Sequence, residues 1–117
     1  MSRTITNEIG TIRINDEVIS KIAGATVVEC YGLVGMVSKG ASSFTDILKR
    51  ENLSKGVEIN SIGEELIIDL YVIIQFGTKI SVVAENIISN VKYNVEKQTG
   101  IKVSKVNLNI EGVRVQA

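Results

Sequence analysis

The sequence contains no histidine, tryptophan or proline, and it has a single cysteine among 117 residues. Without histidine, the chain cannot form a cysteine–histidine nucleophile or a zinc site built from those two residue types. One cysteine cannot form an intramolecular disulfide, which is typical of proteins from a reducing compartment. No phosphate-binding or dinucleotide-binding glycine motif is present. We therefore expect no cofactor, no metal site and no catalytic residues, and hence a protein that is not an enzyme.

Long apolar runs and an excess of one charge are also absent. The longest apolar runs, residues 66–68 and 70–74, are separated by Asp69 and fall well short of the roughly 20 residues that span a bilayer. The N-terminal residues lack the apolar core of a signal peptide. The 13 basic and 13 acidic side chains balance, so no net charge attracts nucleic acid or an anionic membrane. We therefore expect a cytoplasmic protein without a transmembrane segment and weigh against nucleic acid as a partner.

The chain is rich in regular hydrophobic patterns instead. Apolar and polar residues alternate over 10–14, 33–39, 57–62, 65–75 and 106–115, which predicts strands. Apolar residues spaced three and four apart predict one helix over 16–30, capped by Asn15 or Asp16, and another from a Gly77–Thr78 cap to Gly100. A short third helix is expected from Ser42 or Ser43 to about Arg50.

The order of these elements, β-α-β-(short α)-β-β-α-β, predicts an α+β fold. We expect a two-layer sandwich in which two main helices cover one face of a mainly antiparallel sheet. The strand over 65–75 is predicted to be central, with its second face at least partly covered. A single domain is expected over residues 8–115, with flexible ends at 1–7 and 116–117.

The helical stripes and glycines give specific expectations for the core. Gly24 is expected to allow close contact between the first helix and the sheet, and Gly32 to act as a left-handed C-cap. The residues expected to be buried in the first helix are Val18, Ile19, Ile22, Ala23, Thr26 and Cys30. Those of the second are Ile80, Val83, Ala84, Ile87, Ile88, Val91 and Val95.

Two glycine-containing corners and a group of basic residues form the candidate partner or ligand surface. The segment Phe76-Gly77-Thr78-Lys79 could bind an anion at a helix N-terminus, although a strand exit followed by a cap explains it more simply. Lys39, Lys49, Arg50 and Lys55 could form a modest patch for an anion or an acidic partner. The candidate residues are Tyr31, Gly32, Gly35, Lys39, Lys49, Arg50, Phe76, Gly77, Thr78 and Lys79.

Two other features have a functional and a structural interpretation. The spacing from Gly32 to Gly35 matches the glycine motif of KH nucleic-acid clamps, but that loop joins two helices. Here Leu33 and Val34 lie between the glycines and a strand is expected to follow, which favours structural glycines. Cys30 is placed near a helix C-terminus, whose dipole disfavours a thiolate, so we expect a packed and inert thiol.

Four stretches carry a resemblance to a known family. They are GTIRINDEVI at residues 10–19, AGATVVECYGLVGM at 23–36, YVIIQFGTKI at 71–80, and Val106-Asn together with GVRV in 106–115. By the order and spacing of these stretches, which cover nearly the whole chain, the sequence resembles the bacterial alkaline-shock-protein family, also called Gls-type. It is most similar to the short, housekeeping branch.

The resemblance implies a small cytoplasmic protein tied to cell-envelope stress and homeostasis, without established catalytic residues. It also implies a link to fatty-acid and phospholipid metabolism, with envelope or lipid-metabolism proteins as partners, among them a fatty-acid kinase or a membrane anchor protein. Through such a partner the protein would be peripheral at the membrane.

Three functional hypotheses follow. The first is a non-enzymatic adaptor or regulator that acts by protein contacts. The second is a module that binds a small molecule or acyl ligand between the helices and residues 41–56. The third is a KH-like nucleic-acid binder. Because the last strand or the strand at 10–14 could leave an open sheet edge, a homo-oligomer is also expected.

Overall fold

The computed structural model of the chain describes residues 2–6, 8–40, 47–75 and 77–115. Its fold is α+β, with helices packed against a sheet, which confirms the predicted two-layer sandwich. In chain order the elements are β1 (Ser2–Thr6), β2 (Thr11–Asn15), α1 (Asp16–Val27), β3 (Leu33–Met36), a 3-10 helix (Arg50–Gly56), β4 (Val57–Ile62), β5 (Glu65–Gln75), α2 (Ile80–Thr99) and β6 (Val103–Arg114).

Strand β5 is the centre of the main sheet, as predicted. β4 pairs antiparallel with its first half and β3 with its second half, so these two short strands share one edge of β5. β6 lies parallel to β5 along the other edge. A parallel pair needs a long crossover, which α2 supplies between β5 and β6. The sheet is therefore antiparallel on one side of β5 and parallel on the other.

Both α-helices lie on the same face of this sheet and enclose the main core. Alternate residues of β5 point to the helices because successive side chains of a strand face opposite ways. The buried members of this face of β5 and of the α2 stripe are Leu66, Ile68, Leu70, Val72, Ile74, Val83, Ile87, Val91 and Val95. The α2 stripe and the alternation of β5 are thus confirmed in their central parts.

Among the described residues, those that cover the second face of β5 lie at one end of it. Tyr71 and Ile73 are buried there with Val37, and Val34 and Ile47 pack against them. Residues 47 and 48 lie close to this end of the face, where the Leu48 N–H donates a hydrogen bond to the carbonyl of Met36 (2.8 Å). The expectation of partial cover on the second face is confirmed.

Helix α1 is shorter than predicted. It begins as expected, with the Asn15 side chain accepting a hydrogen bond from the Glu17 N–H at 2.8 Å. It ends at Val27 and not at Cys30, with Val28 as its C-cap, so Gly32 follows the helix in a separate turn and is not the cap. Val18 was expected in the buried stripe but is exposed, because it lies on the side of the helix opposite the buried Val27.

Helix α2 begins later than its sequence signals indicate. Its N-cap is Lys79, which makes no side-chain capping bond, so neither Gly77 nor Thr78 is the cap. The Thr78 hydroxyl instead donates to the carbonyl of Gln75 at 2.6 Å, which closes the turn after β5. Ile80 was expected in the buried stripe but lies exposed in the first turn. The predicted stop at Gly100 is confirmed by its left-handed conformation, φ 75°.

The segment between β3 and β4 also differs from its prediction. The predicted β3 continues to residue 39, whereas the observed strand ends at Met36. The short helix predicted from Ser42 or Ser43 falls largely outside the described residues, and residues 47–49 are not helical. The helical turns lie later, in the 3-10 helix, whose Leu53 enters the core. A Cβ added to Gly24 would lie 3.0 Å from Leu53 Cβ. Gly24 therefore allows close contact between α1 and the 3-10 helix, and not between α1 and the sheet as expected.

A strand before residue 8 was not predicted. Residues 2–6 form β1, which pairs antiparallel with β2 as a two-stranded sheet separate from the main one. An isolated hairpin is marginally stable, and this one is tied to the domain by Ile5 and Ile14, which pack against the core. The expected strand at 10–14 is thus confirmed within one residue, but its Ile12 is largely exposed.

Candidate functional site

The structure brings the two glycine corners together. The Gly32 carbonyl accepts a hydrogen bond from the Gln75 N–H at 2.9 Å, and Leu33 pairs with Ile74 at the start of β3. A Cβ on Gly32 would lie 2.7 Å from Val83 Cγ2 and 3.5 Å from Thr78 Cγ2. The turn before β3 therefore touches the turn before α2. Phe76, also a candidate, lies outside the described residues.

Apolar side chains are exposed around this contact. Tyr31 is 82% exposed, and Ile80 and Val82 in the first turn of α2 are 49% and 48% exposed. We call the set Tyr31, Gly32, Gly77, Thr78, Lys79, Ile80 and Val82 the corner surface. Val82 is not among the residues predicted from the sequence, because it lies outside the buried stripe of α2. An apolar residue outside that stripe is itself a sequence signal for a contact surface.

The end of β6 adjoins the same end of the sheet. Arg114 donates from Nη2 to Gln75 Oε1 at 3.1 Å, and Gln75 Nε2 donates to the Arg114 carbonyl at 3.4 Å. The neighbouring Val113 and Val115 are exposed. Exposed apolar side chains occur singly on most proteins, but a group at one end of a small domain is typical of a contact surface.

The remaining candidates lie elsewhere. Gly35 is buried in β3, where an added Cβ would lie 2.6 Å from Ile47 Cγ2, so this glycine makes room for the Ile47 side chain. Lys39 lies on the face of the sheet away from the helices, with its Nζ 4.0 Å from Glu58 Oε1. Arg50 lies on the helix side, beside α1. The structure thus does not bring Lys39 and Arg50 to one anion patch; Lys49 and Lys55 are exposed at the two ends of the 3-10 segment.

A groove of about 330 Å³ separates α1 from the 3-10 helix. Ala25 and Leu53 supply apolar walls, and Lys21 and Arg50 add positive charge at the rim. Lys21 also lies 3.7 Å from Glu17, one turn earlier on an exposed helix face, where such pairs contribute little to stability. The full lining is Lys21, Ala25, Arg50, Glu51, Leu53 and Ser54.

The polar residues on the open face of the sheet bind one another. Asn107 Nδ2 donates to Asp69 Oδ1 at 2.9 Å, and the Tyr71 phenol donates to the Glu58 carboxylate. Burial raises the pKa of Tyr71 above 10.0, and the charges of Glu58, Asp69 and Glu111 raise it further. Within the described residues, no group of three or more histidine, cysteine, aspartate or glutamate side chains is placed to hold a metal ion.

Cys30 lies half-buried after the end of α1. Its Sγ donates to the Thr26 carbonyl at 3.4 Å and accepts from Asn90 Nδ2 of α2 at 3.7 Å. Asn94 Nδ2 likewise donates to the Thr26 hydroxyl at 3.0 Å. These contacts place the thiol between the two helices, where it has a packing role.

Comparison with solved structures supports the fold. The chain is similar to a MamM-CTD variant with a TM-score of 0.51 and 10% identity, over 88% of this chain and 100% of that chain. A second MamM-CTD variant matches with a TM-score of 0.50 and 9% identity over 88% of this chain and 100% of that one. At this identity the likeness concerns the architecture only, so the class defined so far is a small α+β domain.

Sequence comparison identifies the family. Residues 4–115 match the model of the alkaline shock protein 23 family, described as having a cell envelope-related function. The chain is 45% identical to the uncharacterized protein YloU of Bacillus subtilis, over 98% of both chains, and 36% identical to the uncharacterized protein Spy1614 of Streptococcus pyogenes, over 98% of this chain and 97% of that one. A Streptococcus pyogenes stress response regulator gls24 homolog is 23% identical over 98% of this chain and 65% of its own length. The chain belongs to the alkaline shock protein 23 family, which confirms the resemblance drawn from its motifs.

No described helix has both the length and the apolar character that crossing a membrane would need.

Proposed function

We propose that this protein is a non-enzymatic adaptor or regulator of cell-envelope homeostasis that acts by binding other proteins. The observation that carries the proposal is the corner surface, where Tyr31, Ile80 and Val82 remain exposed beside Lys79. Aromatic and apolar side chains with a flanking charge are typical of the centre and rim of a protein interface. The close approach of Gly32 to Val83 and Thr78 sets the turn that contains Tyr31 against the start of α2.

The use of polar residues supports a role in binding over one in catalysis. Asp69 is engaged by Asn107, Glu58 by Tyr71, and Glu96 by the backbone N–H of Val103. Each of these carboxylates joins two elements of the fold. The family description and the regulator name of one relative agree with this role.

The partner we propose is a protein of the envelope or of fatty-acid and phospholipid metabolism, such as a fatty-acid kinase or a membrane anchor protein. Such a partner would place this chain at the cytoplasmic face of the membrane. The family's cell envelope-related description supports the setting, and the resemblance noted from the motifs supports the link to lipid metabolism.

Site-specific photo-crosslinking in cells tests the adaptor role. A photoreactive residue at position 82 is expected to capture the same envelope or lipid-metabolism protein in replicate experiments. The matched control is position 93, because Tyr93 is 60% exposed on the same helix but lies about 16 Å further along its axis at 1.5 Å per residue. Equal capture from both positions, or capture of chaperones alone, would contradict the proposal.

Paired substitutions extend this test. In the chain that carries the photoreactive residue at position 82, replacing Tyr31 and Ile80 by serine removes exposed apolar area from the corner surface while the core stays intact. Capture should therefore be lost and the melting temperature kept. The control Tyr93→Ser removes a comparable exposed ring, which lies 5.5 Å from the Lys97 Nζ, and should leave capture unchanged.

The groove between α1 and the 3-10 helix favours a second candidate function, binding of an anionic acyl ligand. Its apolar walls would contact a short chain segment, and Lys21 and Arg50 would attract a carboxylate or phosphate. Native mass spectrometry with added palmitate tests it. A bound mass that disappears in the double variant K21Q/R50Q supports this role, and the absence of any bound lipid argues against it. The matched control is K92Q, which removes a positive charge from the exposed face of α2.

No observation favours the third hypothesis, a KH-like nucleic-acid clamp. Gly35 lies within β3 and packs on Ile47, whereas the clamp loop joins two helices and grips the nucleic-acid backbone.

A further inference from the structure

Strand β6 presents the longest strand edge without a strand partner in the described part of the chain. Ten of its 12 residues are in register with β5, along one edge only, and Ser104 and Glu111 stand where that register shifts. An unpaired edge exposes a row of N–H and C=O groups that can pair with another strand. The N-terminal hairpin and β4 also have open edges, but their strands are five and six residues long.

Apolar side chains along β6 are only partly covered. Val103 and Val106, at the start of the strand, are buried, whereas Leu108 and Ile110 pack against the core but remain half-buried. Val113, near the end, is exposed. The helix-side face of this edge thus opens progressively to solvent, where a neighbouring strand would cover it.

The other face of β6 carries charges in a symmetric arrangement. Lys105 pairs with Ile67 and Asn109 with Tyr71, so both belong to the face away from the helices. The register with β5 shifts between Ile110, which pairs with Val72, and Gly112, which pairs with Ile73 on this same face. Glu111 is the extra residue at that shift, two positions after Asn109, so it lies beside Gly112 on the face away from the helices. A positive charge and a negative charge therefore stand three residues on either side of Leu108, one before it and one after it.

We propose that β6 pairs antiparallel with β6 of a second copy of this chain, about a two-fold axis through Leu108. In this register Lys105 faces Glu111 of the other copy, and Val106 faces its Ile110. Two opposite-charge pairs then form on one face and a continuous apolar row on the other. The axis is perpendicular to the sheet, so both helical layers lie on the same side of one continuous sheet.

The choice of register follows from the alternation of the strand. Directly opposite residues of an antiparallel pair lie on the same face, so shifts by one residue would set apolar against charged side chains. An axis through Val106 places Lys105 opposite Asn107, and an axis through Ile110 places Asn109 opposite Glu111. The axis at Leu108 is the one that joins Lys105 to Glu111. The interaction is isologous and therefore closes as a dimer.

Charge reversal tests this arrangement with its own rescue. In K105E an acidic side chain at position 105 faces Glu111 of the other copy, and in E111K a basic side chain at position 111 faces Lys105. Each variant thus has two like-charge pairs and should dimerise roughly tenfold or more weakly than the unchanged chain. A mixture of the two variants restores both opposite-charge pairs and should form heterodimers. The double variant K105E/E111K should form homodimers again. Sedimentation equilibrium measures each dissociation constant.

A control separates this effect from net charge. K92E makes the same charge change on the exposed face of α2 and should leave the dissociation constant unchanged. Circular dichroism should show that every variant remains folded. A monomeric unchanged chain at high protein concentration would overturn the proposal. So would single variants that dimerise normally, or a mixture that fails to restore the dimer.

Discussion

The phenol of Tyr71 donates a hydrogen bond to the carboxylate of Glu58, which joins neighbouring strands on the face of the sheet that α1 and α2 leave open. The tyrosine ring is only 6% exposed. Burial raises the pKa of its phenol above 10.0, and the negative charges of Glu58, Asp69 and Glu111 raise it further. Because burial and the nearby negative charges disfavour the ionised phenol, Tyr71 makes the stability of the fold depend on pH in the alkaline range.

The first prediction is a loss of stability at high pH that depends on Tyr71. The phenol holds its proton more tightly in the folded than in the unfolded chain, so its contribution is complete below the unfolded pKa of about 10 and is lost as pH rises through the folded pKa. We expect the unfolding free energy of Tyr71→Phe to fall less steeply above about pH 10. Urea unfolding over a series of pH values measures this slope.

The same variant has a second, independent readout. At pH 7 it loses a partly buried hydrogen bond, so it should be less stable than the unchanged chain by about 1 kcal/mol. The two stability curves should therefore converge as the pH rises. Curves that stay parallel above pH 10 would show that the phenol does not carry the alkaline dependence.

The second prediction concerns the glycine at the centre of the corner surface. Gly32 has φ +87°, and an added Cβ would lie 2.7 Å from Val83 Cγ2. Gly32→Ala therefore combines a left-handed alanine, costing about 1–2 kcal/mol, with overpacking, costing about 1–3 kcal/mol. The matched control is Gly40→Ala, where φ is +83° and an added Cβ meets no described atom within 4 Å. The difference between their unfolding free energies measures the contact with Val83, and equal losses would contradict it.

The elements that the sequence predicts correctly are those whose pattern lies within one segment of the chain. Strand β5 alternates over 11 residues, and its bounds and central place were read from that pattern alone. Strand β1 was missed because its sequence, SRTIT, has one apolar residue and forms a strand only through its pairing with β2. The exposure of Val18 and Ile80 was missed because apolar spacing does not show which positions of a helix the core covers: Val18 lies opposite the buried Val27, and Ile80 is the first residue of α2.

The candidate site was predictable in the same limited way. The glycines at positions 32 and 77 correctly predicted the two turns, and both have a positive φ in the structure. Their contact depends on the pairing of Leu33 with Ile74, a register between distant strands that no local pattern contains. The fold also separates residues that are close in the sequence: Lys39 and Arg50 are 11 positions apart but lie on opposite sides of the sheet.

The third prediction separates the two faces of α2. Ile87 is fully buried beneath the helix, whereas Val82 is about half exposed. Ile87→Asp buries a charge without a partner in the apolar core, which costs several kcal/mol, so we expect the domain to unfold. Val82→Asp places the same side chain in solvent and should melt within a few degrees of the unchanged chain. Thermal unfolding followed by circular dichroism compares them. A soluble, cooperatively melting Ile87→Asp protein would contradict the assignment of this helix face.

The fourth prediction concerns the junction that leads from α2 into β6. Glu96 Oε2 accepts a hydrogen bond from the Val103 N–H at 2.9 Å, and Val103 is fully buried at the first position of the strand. Glu96→Ala leaves this N–H without its acceptor, which should lower the unfolding free energy by about 1–3 kcal/mol. Removing a negative charge from the helix C-terminus is favourable by about 0.3–1 kcal/mol, which offsets part of the loss.

Glu96→Gln distinguishes these two effects, because its amide oxygen can still accept the Val103 N–H while the negative charge is gone. We expect Glu96→Gln to match or exceed the unchanged chain in stability and Glu96→Ala to fall below it. Hydrogen exchange at the Val103 amide gives a local readout, with faster exchange in the alanine variant alone. If both variants lost the same stability, the charge of Glu96 and not its hydrogen bond would hold the start of β6, and the parallel pairing of β6 with β5 would depend on the sheet alone.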